Sequence, residues 1–222
     1  MNELILTADG SHTLISSHLG VSYHSIHGAI QESNHVFIQA GLKPISDSKK
    51  QINILEMGFG TGLNALLTFH FANIKNLKIH YTTIEAFPIQ FDVYNSLNYC
   101  SLLDKSNLQS SFKLMHESDW NTDISIQSNF ILHKINKKLQ DLQLIDNQYE
   151  LIYFDAFSPN EQPELWEPEI FTKLFNSTKS NGILVTYCAK GSFKRTLKSC
   201  GFIVESIEGP PGKREMVRAL KP

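Results

Sequence analysis

The sequence predicts an α/β fold: a Rossmann-like sheet ending in an antiparallel hairpin, preceded by a small N-terminal element. Three observations predict it. Strand-length apolar runs alternate with helix-length stretches from about residue 49 onward. A glycine-rich turn, Gly58-Phe-Gly60-Thr-Gly62, stands between the first of these strands and the first of these helices. The last two strand-like runs follow one another with no helix between them.

Residues 1–48 make up the N-terminal element, with turn signals at Asp9-Gly10 and Lys43-Pro44. Within it Gly28 to Gln39 reads as a helix, with Ala29, Ile30, Val36 and Phe37 available for burial. Residues 49–222 read as one Rossmann-like domain, with no linker that would divide it. Its strands are expected at Asn53 to Met57, His80 to Ala86, Ser111 to His116, Phe130 to Ile135, Tyr149 to Phe154 and Gly182 to Cys188. Its helices are expected at Leu63 to Ala72, Gln90 to Leu97, Glu169 to Phe175 and Ser192 to Cys200, the last stopped by Gly201. Phe202 to Ile207 and Glu215 to Leu220 should pair antiparallel across a wide loop at 208–214. A parallel sheet that finishes in such a hairpin is the pattern of class I methyltransferases rather than of dehydrogenases.

Bulk composition bounds the rest. The 222 residues are 41% hydrophobic and 19% charged, enough apolar material for one buried core and unlike a disordered chain. No apolar run approaches the roughly 18 residues of a membrane span, so no membrane partner is expected. The N-terminal stretch lacks the basic and apolar regions of a secretion signal. Cys100, Cys188 and Cys200 are scattered and odd in number, which fits a reducing cytoplasm and argues against structural zinc. His24, His27 and His35 have no Cys or acid completing a ligand spacing, so no metal is expected. The net charge of −2 hides an asymmetry: residues 189–222 carry eight Lys or Arg against three Glu, whereas the rest carries 12 basic and 19 acidic side chains. The basic end is either a face that meets a polyanion or a set of solvated helix positions.

The sharpest motif is Glu56-Met-Gly58-Phe-Gly60-Thr-Gly62-Leu-Asn64. Glycines there permit a tight strand-to-helix turn and the close approach of a ligand to bare backbone. A phosphate-binding loop would end in Gly-Lys-Ser/Thr, and a dinucleotide fingerprint would want a glycine at Leu63. The ExGxGxG spacing instead resembles the first motif of S-adenosylmethionine methyltransferases. Glu56, Gly58, Gly60, Thr61, Gly62 and Asn64 are therefore cofactor-binding candidates. Glu85 joins them: it ends the next strand, twenty-three residues beyond Gly62, where a carboxylate can accept both ribose hydroxyl protons.

Asp155 follows the most apolar strand, in Asp155-Ala-Phe-Ser-Pro159. In open α/β sheets the ligand crevice lies at the carboxyl ends of the strands. Asp155 is thus the catalytic candidate and a cofactor-side candidate, with Phe157 beside it for the substrate. A carboxylate there suits amine methylation, because the nucleophile becomes cationic as it takes the methyl group. The alternative is an Asp that only caps its turn.

Longer blocks carry a family resemblance. Asp9-Gly-Ser-His-Thr-Leu14, Glu32-Ser33, Ile54 to Asn64, Asp155-Ala-Phe-Ser-Pro159, Gln162-Pro-Glu-Leu-Trp166 and Gly212-Lys-Arg-Glu-Met216 resemble the methyltransferase half of the MnmC/MnmD family. The similarity covers nearly the whole chain and is least distinctive over 98–148. The resemblance implies S-adenosyl-L-methionine as cofactor and tRNA as partner. It also implies methylation of the aminomethyl nitrogen of 5-aminomethyl-2-thiouridine at the wobble position. It favours Tyr23 as a residue folding over the cofactor. A length of 222 residues leaves no room for the FAD-dependent oxidase domain of bifunctional members, so methyl transfer without flavin is expected. Lys190, Arg195, Lys213 and Arg214 are the candidates for tRNA contact. Trp166 either stacks on the substrate base or packs; Trp120 either covers the adenine or belongs to a core. Two competing readings are an amine methyltransferase acting on a small molecule or protein, and a catalytically silent RNA-binding module of the same fold.

Overall fold

A computed structural model describes residues 3–103 and 108–222; Met1 and Asn2, at the start of the N-terminal element, lie outside them. Strands β1 (Glu3–Leu6) and β2 (His12–Ile15) form an antiparallel hairpin. Its turn falls at Asp9-Gly10, where Asp9 Oδ1 accepts the Ser11 N–H at 2.9 Å. Helix α1 (Ala29–Ser33) continues through a π-helical stretch (Asn34–Leu42) into α2 (Lys43–Ser46). The turn expected at Lys43-Pro44 is therefore replaced by continuous helix, in which Pro44 comes just after the π-helical stretch. Val36, Phe37, Ile38 and Leu42 of this segment are buried in the same core as the main sheet.

The main sheet is built from β3 (Gln51–Met57), β4 (Lys78–Ile84), β5 (Asp123–Gln127), β6 (Phe130–Ile135), β7 (Tyr149–Phe154), β8 (Thr178–Thr186), β9 (Ile203–Glu208) and β10 (Glu215–Leu220). Between them run α3 (Leu63–Lys75), α4 (Phe91–Asn95), α5 (Tyr99–Leu102), α6 (Leu108–Glu117), α7 (Pro168–Ser177) and α8 (Gly191–Ser199). The order is β5-β6-β4-β3-β7-β8-β10-β9. Strands β6, β4, β3, β7 and β8 pair in parallel, whereas β10 runs antiparallel to β8 and β9, and β5 antiparallel to β6. This is an α/β class I methyltransferase sheet. Along β7, Leu151 and Tyr153 enter one core and Ile152 and Phe154 the other, so the strand is covered on both faces.

One expected strand is not a strand, and one strand was not expected. Ser111 to His116 is helical, inside α6, not a strand. Leu108, Phe112 and Met115 are its buried residues, a spacing of four then three that matches a helical stripe. Strand β5 was not expected, although Asp123-Ile-Ser-Ile-Gln127 alternates polar and apolar residues; its two Ile are only half-buried. It covers the edge of β6.

The chain leaves β3 toward β4 and β6 on one side, then returns to β7 and β8 on the other. That reversal opens a crevice at the carboxyl ends of β3 and β7. No helix among the described residues is long and apolar enough to cross a membrane. Among them, no group of three or more His, Cys, Asp or Glu could hold a metal ion.

Candidate active site

The crevice is floored by the turn from β3 to α3. Gly58 has φ +92°, its N–H donates to Ile84 O at 3.0 Å, and a Cβ on it would stand 2.7 Å from the Asp155 carbonyl oxygen. Only glycine lets the ends of β3 and β7 converge there. The Gly60 N–H donates to Glu85 Oε2 at 2.9 Å, and the Phe87 N–H donates to Oε1 at 2.7 Å. Both oxygens of Glu85 are thus oriented by backbone at the end of β4. Burial pushes this carboxyl up, and the backbone N–H groups oppose the shift.

Asp155 follows β7 directly, its N–H donating to Met57 O at 3.0 Å. Asn64, on the first turn of α3, donates Nδ2–H to Asp155 Oδ2 at 2.8 Å. Burial raises the Asp155 carboxyl to about 7; the Asn64 bond lowers it, nearby Glu32 raises it and Lys213 lowers it. Glu56 does not reach the crevice. It is fully buried beneath the loop, and its carboxylate closes no hydrogen bond. Burial pushes it up to about 8, against the favourable approach of Thr83, Tyr81 and Asn64. Its expected cofactor contact is therefore corrected to a place under the floor. Gly62 is likewise behind the crevice: it turns the chain into α3, and a Cβ there would meet His116 Nε2 at 2.8 Å.

Above this floor lies a cavity of about 700 Å³, within the range of about 300–1,000 Å³ usual for small-molecule sites. Beside Glu85 it is lined by Phe87, Lys138 and Gln140, and at its centre by Gly58, Gly60, Thr61, Asn64 and Asp155. Beyond Asp155 it is lined by Tyr187 after β8, Lys213 of the β9–β10 loop and Glu32 of α1. Tyr23, His24 and Ser25 of the N-terminal element line it as well. Tyr23 meets Phe157, also in the lining, edge-on with ring centroids 5.1 Å apart. His24 is buried between Thr13 Oγ1 at 2.9 Å and Thr61 Oγ1 at 3.4 Å, and burial lowers its ring to about 4.

Other predicted residues fall outside the cavity. Trp166 is 8% exposed; its Nε1–H donates to Phe157 O at 2.8 Å, and its ring packs edge-on against Phe154 and Phe193. Of its two readings packing is the one observed, because no ring face is left for a base. Trp120 lies under the Lys134 ammonium, 4.6 Å from it, and is not in the cavity lining. Lys190 is exposed and donates to Asn160 Oδ1 at 2.8 Å. Arg195 and Arg214 are exposed and have no acidic partner among the described residues. Lys213 alone of the four basic candidates lines the cavity. Sequence reasoning gave no role to Glu32, Phe87, Lys138 or Tyr187. Phe87 was within reach, two positions after a strand-ending acid; Glu32 stood in a block of the family resemblance without a role, and Tyr187 had no local signal.

A family model described as S-adenosyl-L-methionine-dependent methyltransferase matches residues 106–222. The bifunctional protein MnmC of tRNA 5-methylaminomethyl-2-thiouridine biosynthesis from Burkholderia thailandensis is 27% identical over 228 residues, covering 96% of this chain and 34% of that protein. Its namesake from Idiomarina loihiensis is 31% identical over 211 residues, covering 88% of this chain and 34% of its own length. The chain thus spans about a third of the length of the curated relatives it matches. The crystal structure of MNMC2 from Aquifex aeolicus superposes with a TM-score of 0.82, covering 100% of this chain and 71% of that one; at 24% identity the likeness concerns the fold. Matched over more than half its length, the chain belongs to the S-adenosyl-L-methionine-dependent methyltransferase family.

Proposed function

We propose that this protein methylates the aminomethyl nitrogen of 5-aminomethyl-2-thiouridine at the wobble position of tRNA, in the cytoplasm, using S-adenosyl-L-methionine. The observation that carries the reading is Asp155, a carboxylate clamped by Asn64 at the centre of a cavity with a glycine floor on one side and a polar pocket on the other. Similarity to MnmC proteins over nearly the whole chain supports the choice of substrate.

The residues present fit the cofactor. Glu85, with each oxygen holding one backbone N–H, keeps lone pairs for two ribose hydroxyls. Gly58 and Gly60 offer backbone without side chains to the methionine part. When bound, the cofactor supplies an electrophilic methyl group on a sulfonium. Asn64 occupies Asp155 Oδ2, which leaves Oδ1 to accept an N–H of the acceptor amine. That bond orients the amine lone pair and favours the cationic product. Because burial raises its carboxyl, Asp155 can also take the proton that an ammonium substrate must lose, and passes it to solvent before the attack, since only the carboxylate accepts the amine N–H and favours the cation. Exposed Lys190, Arg195 and Arg214 supply positive charge for the tRNA backbone.

The test is incubation with methyl-labelled S-adenosyl-L-methionine and undermodified bulk tRNA, followed by digestion and identification of the labelled nucleoside. Label in 5-methylaminomethyl-2-thiouridine is expected. Label only in protein or small amines, or none at all, would overturn the proposal.

A further inference from the structure

The end of the cavity beyond Asp155 holds a charged pair that neither cofactor binding nor the Asp155 carboxylate requires. Lys213 Nζ lies 2.6 Å from Glu32 Oε1 and 3.9 Å from the centre of the Tyr187 ring. Glu32 is 7% exposed, and its Oε2 accepts the Ser25 N–H at 2.7 Å. Tyr187 is fixed in turn by donating its hydroxyl to Ala156 O at 2.9 Å. The pair joins a buried carboxylate, its side chain 9% exposed, to an ammonium whose side chain stays 34% exposed and lines the cavity, so the ammonium is open to a ligand. Placed on a cavity wall, the pair is explained by what it presents to a ligand.

Sheet order decides which ligand. The carboxyl ends of β4 and β3 carry Glu85 and the glycine floor, so the cofactor belongs on that side of Asp155. Tyr187 after β8, Lys213 of the β9–β10 loop and Glu32 of α1, which pairs with Lys213, stand on the other side, where the methyl acceptor must lie. Each oxygen of Glu32 holds one hydrogen bond and keeps room for another; an ammonium has three donors, and Glu32 takes one. The pair therefore shows an acceptor next to a donor. A uracil ring carries the complementary edge, N3–H donating beside a C4 carbonyl that accepts, whereas cytosine reverses both polarities. On the ring, C4 lies between N3 and the C5 atom that bears the aminomethyl arm.

We infer that Glu32 and Lys213 read the N3–H and C4 carbonyl edge of the acceptor pyrimidine and so select uracil over cytosine at the methylated nucleotide. The inference rests on the proposed nucleoside substrate. Lys213 thereby contacts the base, and the exposed cations on α8 and the hairpin loop are left to meet phosphates.

The experiment uses two RNA stem-loops that differ only at the N3–C4 edge of one nucleotide, 5-aminomethyl-2-thiouridine or 5-aminomethyl-2-thiocytidine. Single-turnover methylation is measured for the wild type, E32Q, K213M and K213R, with S-adenosylhomocysteine affinity as a check on the cofactor side. The wild type should prefer the uridine by about 10- to 100-fold, the range for one or two hydrogen bonds to charged groups. E32Q and K213M should each lose most of that preference, and K213R, which keeps a donor, should retain more than K213M. Equal wild-type rates on the two RNAs would overturn the inference alone, even if neither variant folds. Undiminished preference in E32Q and K213M would do the same. Methylation of neither RNA by the wild type would overturn the substrate reading and this inference with it.

Discussion

Replacing Asp155 by Asn preserves side-chain size while removing the charge, and the surrounding geometry predicts the consequence. Asn64 presents an N–H to Oδ2 at 2.8 Å, so an amide at 155 should turn its carbonyl oxygen toward Asn64. Its NH₂ group would then replace Oδ1 and face the acceptor amine, donor against donor. Both the acceptor and the charge that favours the cationic product are lost, and a loss of about 10²–10⁴ in turnover is expected, equivalent to about 2.7–5.4 kcal/mol of barrier. Cofactor affinity should change little. The pH profile gives a second reading. With its carboxyl raised to about 7 in the free protein, Asp155 gains its charge as pH rises, so wild-type turnover should climb with pH in that region. A bound sulfonium would move this limb lower by favouring the carboxylate. The Asn variant should lack the limb. Stability follows the same sign: the folded chain holds this proton more tightly than the unfolded one, so ionising Asp155 costs stability from about its ordinary value of 3.8 up to about 7. The Asn variant escapes that cost, and its melting temperature relative to wild type should rise across this window. Single-turnover methylation of an aminomethyl-uridine RNA across about pH 6 to 9, at saturating cofactor, is the assay. A variant rate within tenfold of wild type and an unchanged pH profile would refute the reasoning.

Other variants separate the site's parts. Glu85→Ala should weaken S-adenosylhomocysteine binding by about 1–3 kcal/mol in calorimetric titration, and Gly60→Val should abolish it, because Gly60 has φ +50° and a Cβ would meet the Tyr23 ring at 3.2 Å; unchanged affinity in both would remove the cofactor assignment. Trp166→Ala should lower stability by about 3–5 kcal/mol in denaturant unfolding, through lost packing against Phe154 and Phe193. An unaffected unfolding midpoint would contradict its place in the core. Replacing Arg195 and Arg214 together by Ala should reduce the slope of log tRNA affinity against log salt by about 2, with cofactor affinity unchanged; an unaltered slope would return both residues to the solvated surface.

The parts of the site legible in the sequence were those whose chemistry is local. The glycine turn, the acid at the end of the next strand and the acid after the apolar run 149–154 each combine a residue type with a position on a strand, and strand ends converge in a parallel sheet. Local patterns misled where tertiary packing overrode them. The segment 111–116 alternates from Ser111 to Leu114, yet its burial follows the helical stripe of Leu108, Phe112 and Met115. Pro44 marks a turn by itself, but continuous helix carries it because the preceding π-helical stretch is packed into the core. Glu56 was given a contact by its neighbours in sequence and Trp166 was left between stacking and packing; both are buried and outside the cavity lining.

By itself, the sequence determined most of the strand–helix alternation after residue 49, the glycine turn and the placing of Glu85 and Asp155 at strand ends, because backbone conformation and hydrophobic period are set over a few residues. Only the tertiary structure decided which side chains share the cavity. Asn64 reaches Asp155 across 91 positions, and Lys213 reaches Glu32 across 181. Such pairs are made by the sheet's reversal and by helix α1 packing over it, and no local signal records them, since each partner is chosen by where the chain returns.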